Sequence, residues 1–173
     1  MTDMDSHDND SQPTRARPNW DIFETAQKGT LADVKYIIEK KGYDVNTQNH
    51  CGREWGLWRL DDGNEETMLH WATHNPDIEV VKYLIAQGAS VNAKDCDGAT
   101  PLHDAAMVCP NPEVLEYLIA QGADVNAIDV DGGTPLDNAN ADEYVLAGAE
   151  ERKAILRKAG GKTGAELQQE AQE

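Results

Sequence analysis

Tyr83-Leu84-Ile85-Ala86-Gln87-Gly88-Ala89-Ser90-Val91-Asn92-Ala93 returns 34 residues later as Tyr117-Leu118-Ile119-Ala120-Gln121-Gly122-Ala123-Asp124-Val125-Asn126-Ala127. One position of the eleven differs, Ser90 against Asp124. Self-similarity at a fixed period of this size marks a stacked array and outweighs any local signal. Units of such an array contact only their neighbours, and the stack presents surface rather than a deep pocket.

A second phrase precedes each copy. Thr67-Met68-Leu69-His70-Trp71-Ala72 leads into the first, Thr100-Pro101-Leu102-His103-Asp104-Ala105-Ala106 into the second, and Thr134-Pro135-Leu136-Asp137-Asn138-Ala139 follows. A degenerate unit lies upstream in Ile22 to Ala26, Val34 to Ile38 and Gly42-Tyr43-Asp44-Val45-Asn46. Thr100 suits a helix N-cap, and Pro101 suits the first turn, where a missing N–H costs nothing. Leu102, Ala105 and Ala106 give that helix a small apolar face, too short to be stable alone. Pro110 and Pro112 break the chain before a second helix, Glu113 to Gln121, which carries Val114, Leu115, Leu118 and Ile119 at helical spacing. Gly122 fits the left-handed residue that ends it. Asp95 to Gly98 and Asp129 to Gly132 hold Asp-Gly turn signals. Each unit therefore reads helix, turn, helix, hairpin, and no unit closes a core by itself.

With Thr-Pro-Leu-His-x-Ala-Ala, Gly-Ala-Asp-Val-Asn-Ala and a period of 33 or 34, the chain resembles the ankyrin repeat proteins over residues 19 to 161. The expected fold is an all-α ankyrin-repeat solenoid of about four helix-turn-helix units joined by β-hairpin loops, with boundaries near 19–48, 62–94, 95–128 and 129–161. The first unit lacks the Thr-Pro-Leu-His phrase. The last puts Asp137 in place of the histidine and ends in a charged helix, Glu150 to Lys158. Both are expected to act as polar caps.

Between Asn92 and Thr100 there are seven residues, as between Asn126 and Thr134, but between Asn46 and Thr67 there are twenty. A 13-residue insertion is therefore expected near 49–61, between the first and second units. It carries Trp55, Leu57, Trp58 and Leu60 and balances Arg53 and Arg59 against Glu54 and Asp61. It reads either as a binding arm or as an aromatic patch that repairs the first cap.

The net charge is −17. Residues 1–18 hold four Asp and two Arg, and the tail from Lys162 holds three Glu and one Lys, so −13 belongs to the repeats. Nucleic acid and anionic membranes would be repelled, and a basic partner drawn in. Acidity would also keep an open stack soluble and monomeric. Residues 1–18, with no Leu, Ile, Val or aromatic, are expected to be a disordered acidic segment without a signal-peptide core. Residues 162–173 read as a polar tail. Three cysteines without a C-x-x-C pair fit a reducing, cytoplasmic setting.

The resemblance implies that hairpin tips and the first helix of each unit line a concave face. Candidate partner-binding positions are then Asn64, Glu66, Trp71, His74 and Asn75 in the second unit. In the third they are Cys96, Asp97, Ala99, Asp104, Met107 and Val108. In the fourth they are Val130, Asp131, Gly133 and Asn138, and Trp55 and Trp58 join from the insertion. Trp71, where the next unit has Asp104, reads either as an interface anchor or as packing on the neighbouring helix. His70 and His74 have the spacing of a helical metal pair, but Trp71 stands where the base Glu would be, and His70 takes the repeat's structural position, bonding the hairpin backbone as His103 should. His50-Cys51 lacks a second ligand pair. Asn46, Asn92 and Asn126 read as fixing hairpin backbone. Thr67 to Gly88 spans 21 positions and Thr100 to Gly122 spans 22, so Cys109 reads as an extra residue bulged from the inter-helix turn.

No cofactor, catalytic or metal site is assigned. The expected function is non-enzymatic recognition of a protein with a basic surface through the concave face and finger loops. The alternatives are an acidic polyanion mimic that inhibits a cationic protein, and a metal or stress accessory using His50 and Cys51.

Overall fold

The computed structural model describes residues 22–50, 64–141 and 148–172. Trp55, Trp58, Cys51 and the segment 1–18 lie outside the described residues. The chain runs as helix pairs. Helices α1 (Ile22–Lys28) and α2 (Leu31–Lys35) come first, α2 widening into a π-type turn over Tyr36–Lys40. Strands β1 (Gln48–His50) and β2 (Asn64–Thr67) then pair antiparallel with a bulge between them. There follow α3 (Met68–Ala72) and α4 (Ile78–Ala86), α5 (Pro101–Val108) and α6 (Glu113–Ala120), α7 (Pro135–Ala141) and α8 (Ala149–Lys158), and last α9 (Gly164–Glu170).

The first helices start the way their threonines dictate. The Thr67 and Thr100 N–H groups donate to Nδ1 of His70 and His103, each at 3.0 Å. An accepting Nδ1 places the proton on Nε2. His70 Nε2 then faces the Ala99 carbonyl of the next hairpin at 3.5 Å, the limit of a bond. His103 repeats the cap, and its Nε2 faces the Gly133 backbone of the next hairpin, beyond bonding range. Toward the C-terminal end a carboxylate does the same work. Thr134 N–H donates to Asp137 Oδ2 at 3.0 Å, and Thr163 N–H to Glu166 Oε2 at 2.8 Å.

Second helices end at left-handed glycines, among them Gly88 (φ 93°) and Gly122 (φ 90°). Ala89 and Ala123 N–H groups reach back to the Leu84 and Leu118 carbonyls at 3.0 Å, satisfying helix-end acceptors. Inside, Leu69, Ala72, Leu84, Leu102, Ala105, Ala106, Leu115, Leu118, Ala139 and Leu156 are fully buried. α1, α3, α5 and α7 pack in one row, and α2, α4, α6 and α8 in another. The alanines let the first row approach closely, so neighbours close each other's core.

Recurrent asparagines tie each unit to the next. Asn46 Nδ2 donates to the Gly88 carbonyl (3.0 Å) and its Oδ1 accepts from Ser90 N–H (2.8 Å). Asn92 does the same to Gly122 (3.0 Å) and Asp124 (2.9 Å), and Asn126 to Gly160 (3.2 Å) and Lys162 (2.8 Å). The partner is thus the second-helix end of the following unit, not the hairpin to which sequence reading assigned these residues.

A further feature corrects the sequence reading. Part of the expected polar tail is α9, which repeats the start of a first helix. Its Gly164 N–H bonds Asp137 Oδ2 (2.7 Å), and a Cβ on Gly164 would collide with the Gly132 carbonyl oxygen. Arg157 clasps Glu166 with two bonds of 2.7 and 3.0 Å and holds that carboxyl down to about 2. Cys109, the extra residue of the inter-helix turn, is turned inward. It is 3 % exposed, with its thiol donating to the Asn111 carbonyl at 3.0 Å, because α5 ends there and the chain turns inward before Pro110. Arg152 is 2 % exposed, and its guanidinium donates to the Ala106 and Met107 carbonyls at 2.8 and 3.2 Å. It caps α5 from α8, a cation at a helix C-terminus.

Asn92→Ala leaves the Gly122 carbonyl and Asp124 N–H to water. At about 1 kcal/mol per bond, urea unfolding should show a loss of roughly 2 kcal/mol; an unchanged midpoint contradicts the tie. Burial pushes His70 down to about 4 from 6.5, so the fold holds it neutral. Its contribution is present above pH 6.5 and is lost as pH falls toward 4, up to about 3 kcal/mol. His70→Gln keeps a capping side chain without a titrating ring. Its unfolding free energy should fall less than wild type between pH 6.5 and 4.5, and parallel curves would refute the assignment.

Candidate protein-binding groove

The first helices form a floor and the hairpins a row of fingers beside it. Each finger is shaped by an aspartate. Asp95 Oδ1 accepts from Asp97 N–H (2.9 Å) and Ala99 N–H (2.8 Å), and Asp129 Oδ1 from Asp131 N–H (3.0 Å) and Gly133 N–H (2.7 Å). Fingers are joined by backbone bonds, Cys96 N–H to the Asn64 carbonyl at 2.7 Å and Val130 N–H to the Asp97 carbonyl at 2.8 Å. Gln48 adds bonds to the Glu65 and Lys94 carbonyls (2.8 and 3.3 Å). With backbone groups so engaged, the tips present side chains. Val130 is 69 % and Ile128 46 % exposed, and Cys96, Asp97 and Asp131 are exposed beside them.

On the floor, Trp71 is half-buried and packs on Phe23, with ring centres 6.3 Å apart and planes tilted by 43°. Asp104, four residues beyond Thr100 as Trp71 is beyond Thr67, is half-buried as well. Burial, with Glu66 and Asp95 adding repulsion, pushes the Asp104 carboxyl up to about 8. Its Oδ2 and the Trp71 Nε1 are buried and have no hydrogen-bond partner among the described residues. Met107 is exposed one turn further on, with Val108 half-buried beside it.

The sequence-expected positions divide. Glu66, Trp71, Asp104, Met107 and Val108 lie on β2, α3 and α5, while Cys96, Asp97 and Asp131 lie on the fingers. Asn64 and Ala99 serve finger geometry through their backbone. Asn75 is a correction. It is 2 % exposed, its amide donates to the Ala26 and Gly29 carbonyls at 3.0 Å, and its Oδ1 accepts from Asp77 N–H at 2.9 Å, so it staples the first helix pair to the second. Gly133 is likewise structural, since a Cβ there would press on the Asp129 carboxylate at 2.8 Å. His74 is half-buried and burial pushes it down. His70, four residues earlier, has Nδ1 engaged with Thr67, in keeping with its structural position. Among the described residues no three His, Cys, Asp or Glu side chains converge on a metal-sized site, and no helix is long and apolar enough to cross a membrane. The unpaired polar atoms of the floor were not legible in the sequence, because an aspartate on a helix reads as solvated unless its neighbours in space are known.

Comparison with known proteins agrees with this architecture. The family model described as ankyrin repeats (3 copies) matches residues 22–129. The chain is similar to the putative palmitoyltransferase ZDHHC13 of Danio rerio, 35 % identical over 99 residues, which are 57 % of this chain and 12 % of that one. It is similar to alpha-latroinsectotoxin-Lt1a of Latrodectus tredecimguttatus, 35 % identical over 81 residues, 47 % of this chain and 5 % of the toxin. Ankyrin repeat domain-containing protein 53 of Macaca fascicularis is 33 % identical over 86 residues, 47 % of this chain and 15 % of its own. The chain thus spans only 5 to 15 % of these relatives, and what their names say of activity stays with them. It belongs to the ankyrin-repeat family.

Proposed function

We propose that this chain is a non-enzymatic recognition module that binds a protein with a basic surface through the groove and its fingers. The observation that carries the reading is the division of labour among side chains. The asparagine ties, buried leucines and capped threonines hold the stack, whereas Met107, Val130, Ile128, Asp97 and Asp131 stand exposed on the groove and finger side. Exposed apolar side chains ringed by acids suit a partner with apolar anchors and basic flanks, and the −17 net charge steers such a partner in. We count four helix-turn-helix units, with α9 as the start of a fifth, and place the 13-residue insertion at the finger between the first two. A monomer in a reducing cytoplasm fits this acidic composition. A second reading, mimicry of a polyanion, draws on the same charge: it predicts affinity that falls steeply with salt, whereas apolar docking changes little.

The test is capture of partners from native lysate, followed by affinity measurement with variants. Met107→Glu with Val130→Glu should weaken binding at least tenfold with the melting temperature held, since exposed substitutions stay near ±0.5 kcal/mol; equal affinity would move the contact off this face. Trp58→Ala should lower affinity at unchanged melting temperature if the insertion is a binding arm, and a fall in melting temperature instead would assign it to the cap.

A further inference from the structure

We propose that the groove floor between α3 and α5 is a pocket for one basic side chain of a partner peptide, with the Asp104 carboxylate as counter-charge and the Trp71 indole donating to the peptide backbone. The inference rests on the groove reading above and narrows it to a residue type. Two atoms carry it. Asp104 Oδ2 and Trp71 Nε1 are buried, and among the described residues no group bonds either. Buried polar atoms without partners are rare in native proteins. One of this pair is an acceptor and the other can only donate.

They stand at equivalent places, each four residues past its threonine, on helices that pack together. Packed helices lie about 8–10 Å apart, so side chains at these two places fall within the reach of one bound peptide. An extended peptide of about three residues covers that distance. A Lys or Arg residue in such a peptide supplies both missing halves, a cationic donor for Asp104 and a nearby carbonyl for the indole N–H. An acidic peptide fails on charge, because Glu66 from β2 and Asp95 from the hairpin before α5 already raise the energy of a charge at Asp104. A purely apolar one can satisfy the indole through its backbone but leaves Asp104 without a partner, at a cost. The indole face adds attraction for a cation.

The same geometry couples binding to a proton. In the free protein the Asp104 carboxyl, held up to about 8, carries its proton at neutral pH. An arriving ammonium or guanidinium favours the carboxylate, and the proton leaves to solvent.

The test uses random heptapeptides displayed on phage and selected on the intact protein, then titration calorimetry with the selected peptides. A Lys or Arg should be fixed at one position. Replacing it by norleucine, or making Asp104→Asn, should weaken binding at least tenfold. Titrations at pH 7 in buffers of different ionisation enthalpy should show proton release with wild type and none with Asp104→Asn. That variant should melt at least as high as wild type at pH 8.5, where it removes a buried charge, so the loss is not one of folding. Peptides with no fixed basic position, or equal affinity for Asp104→Asn, would overturn the pocket. If those peptides still lose affinity to Met107→Glu/Val130→Glu, the groove stands and only the pocket falls; if they ignore both variants, both fall.

Discussion

The structure depends on one repeated side-chain contact, the asparagine amide that reaches from each hairpin to the second-helix end of the next unit. Its two bonds take a carbonyl and an N–H that a left-handed glycine turn would otherwise leave to solvent. Each rung fixes the distance and rotation between neighbours, so the first helices form an even floor and the fingers an even row. Each bond contributes little alone. The rungs matter because no pair of helices of five to ten residues each holds a core without its neighbours.

From that constraint follows the way the ends are closed. At the C-terminal side the rung from Asn126 lands on Gly160 and Lys162, and the chain continues into α9, whose Thr163–Glu166 cap imitates the threonine–histidine caps within the stack. Histidine suits the interior, where a neutral ring fills a buried site. A carboxylate suits the end, where Asp137 collects donors from Thr134 and Gly164. At the other side Asn75 performs the closure, bonding the end of α1 from the turn after α3. Arg152 joins the two rows, reaching from α8 to the last carbonyls of α5.

Much of this was legible in the sequence, because a period of 33 or 34 with glycine, threonine and asparagine at fixed offsets leaves few arrangements open. The helix limits of the third unit and the left-handed Gly122 follow from local chemistry alone. The asparagine role was read correctly in kind but assigned to the wrong backbone, since a partner 30 residues away in Gly122 has no local signature. Arg152 and Asn75 escaped for the same reason. An arginine in a charged helix and an asparagine before Pro76 both read as surface residues, and only stacking buries them. The burial of Cys109 was not legible, because a one-residue expansion of the turn does not say which way the thiol points. A concave face was an expectation from the resemblance, and the chemistry along it was not legible. That the Asp104 carboxyl is desolvated near two other acids depends on where β2 and the hairpin fall in space.

Stacking residues and exposed groove residues are thus two different sets, and the central claim is that a partner engages only the second. Amide hydrogen exchange of the protein with and without a captured partner tests this most directly. The account predicts slowed exchange at residues 96–98, 104–108 and 130–132, with the rung amides of Ser90, Asp124 and Lys162 unchanged. Protection confined to the second-helix row, α4 and α6, would contradict it.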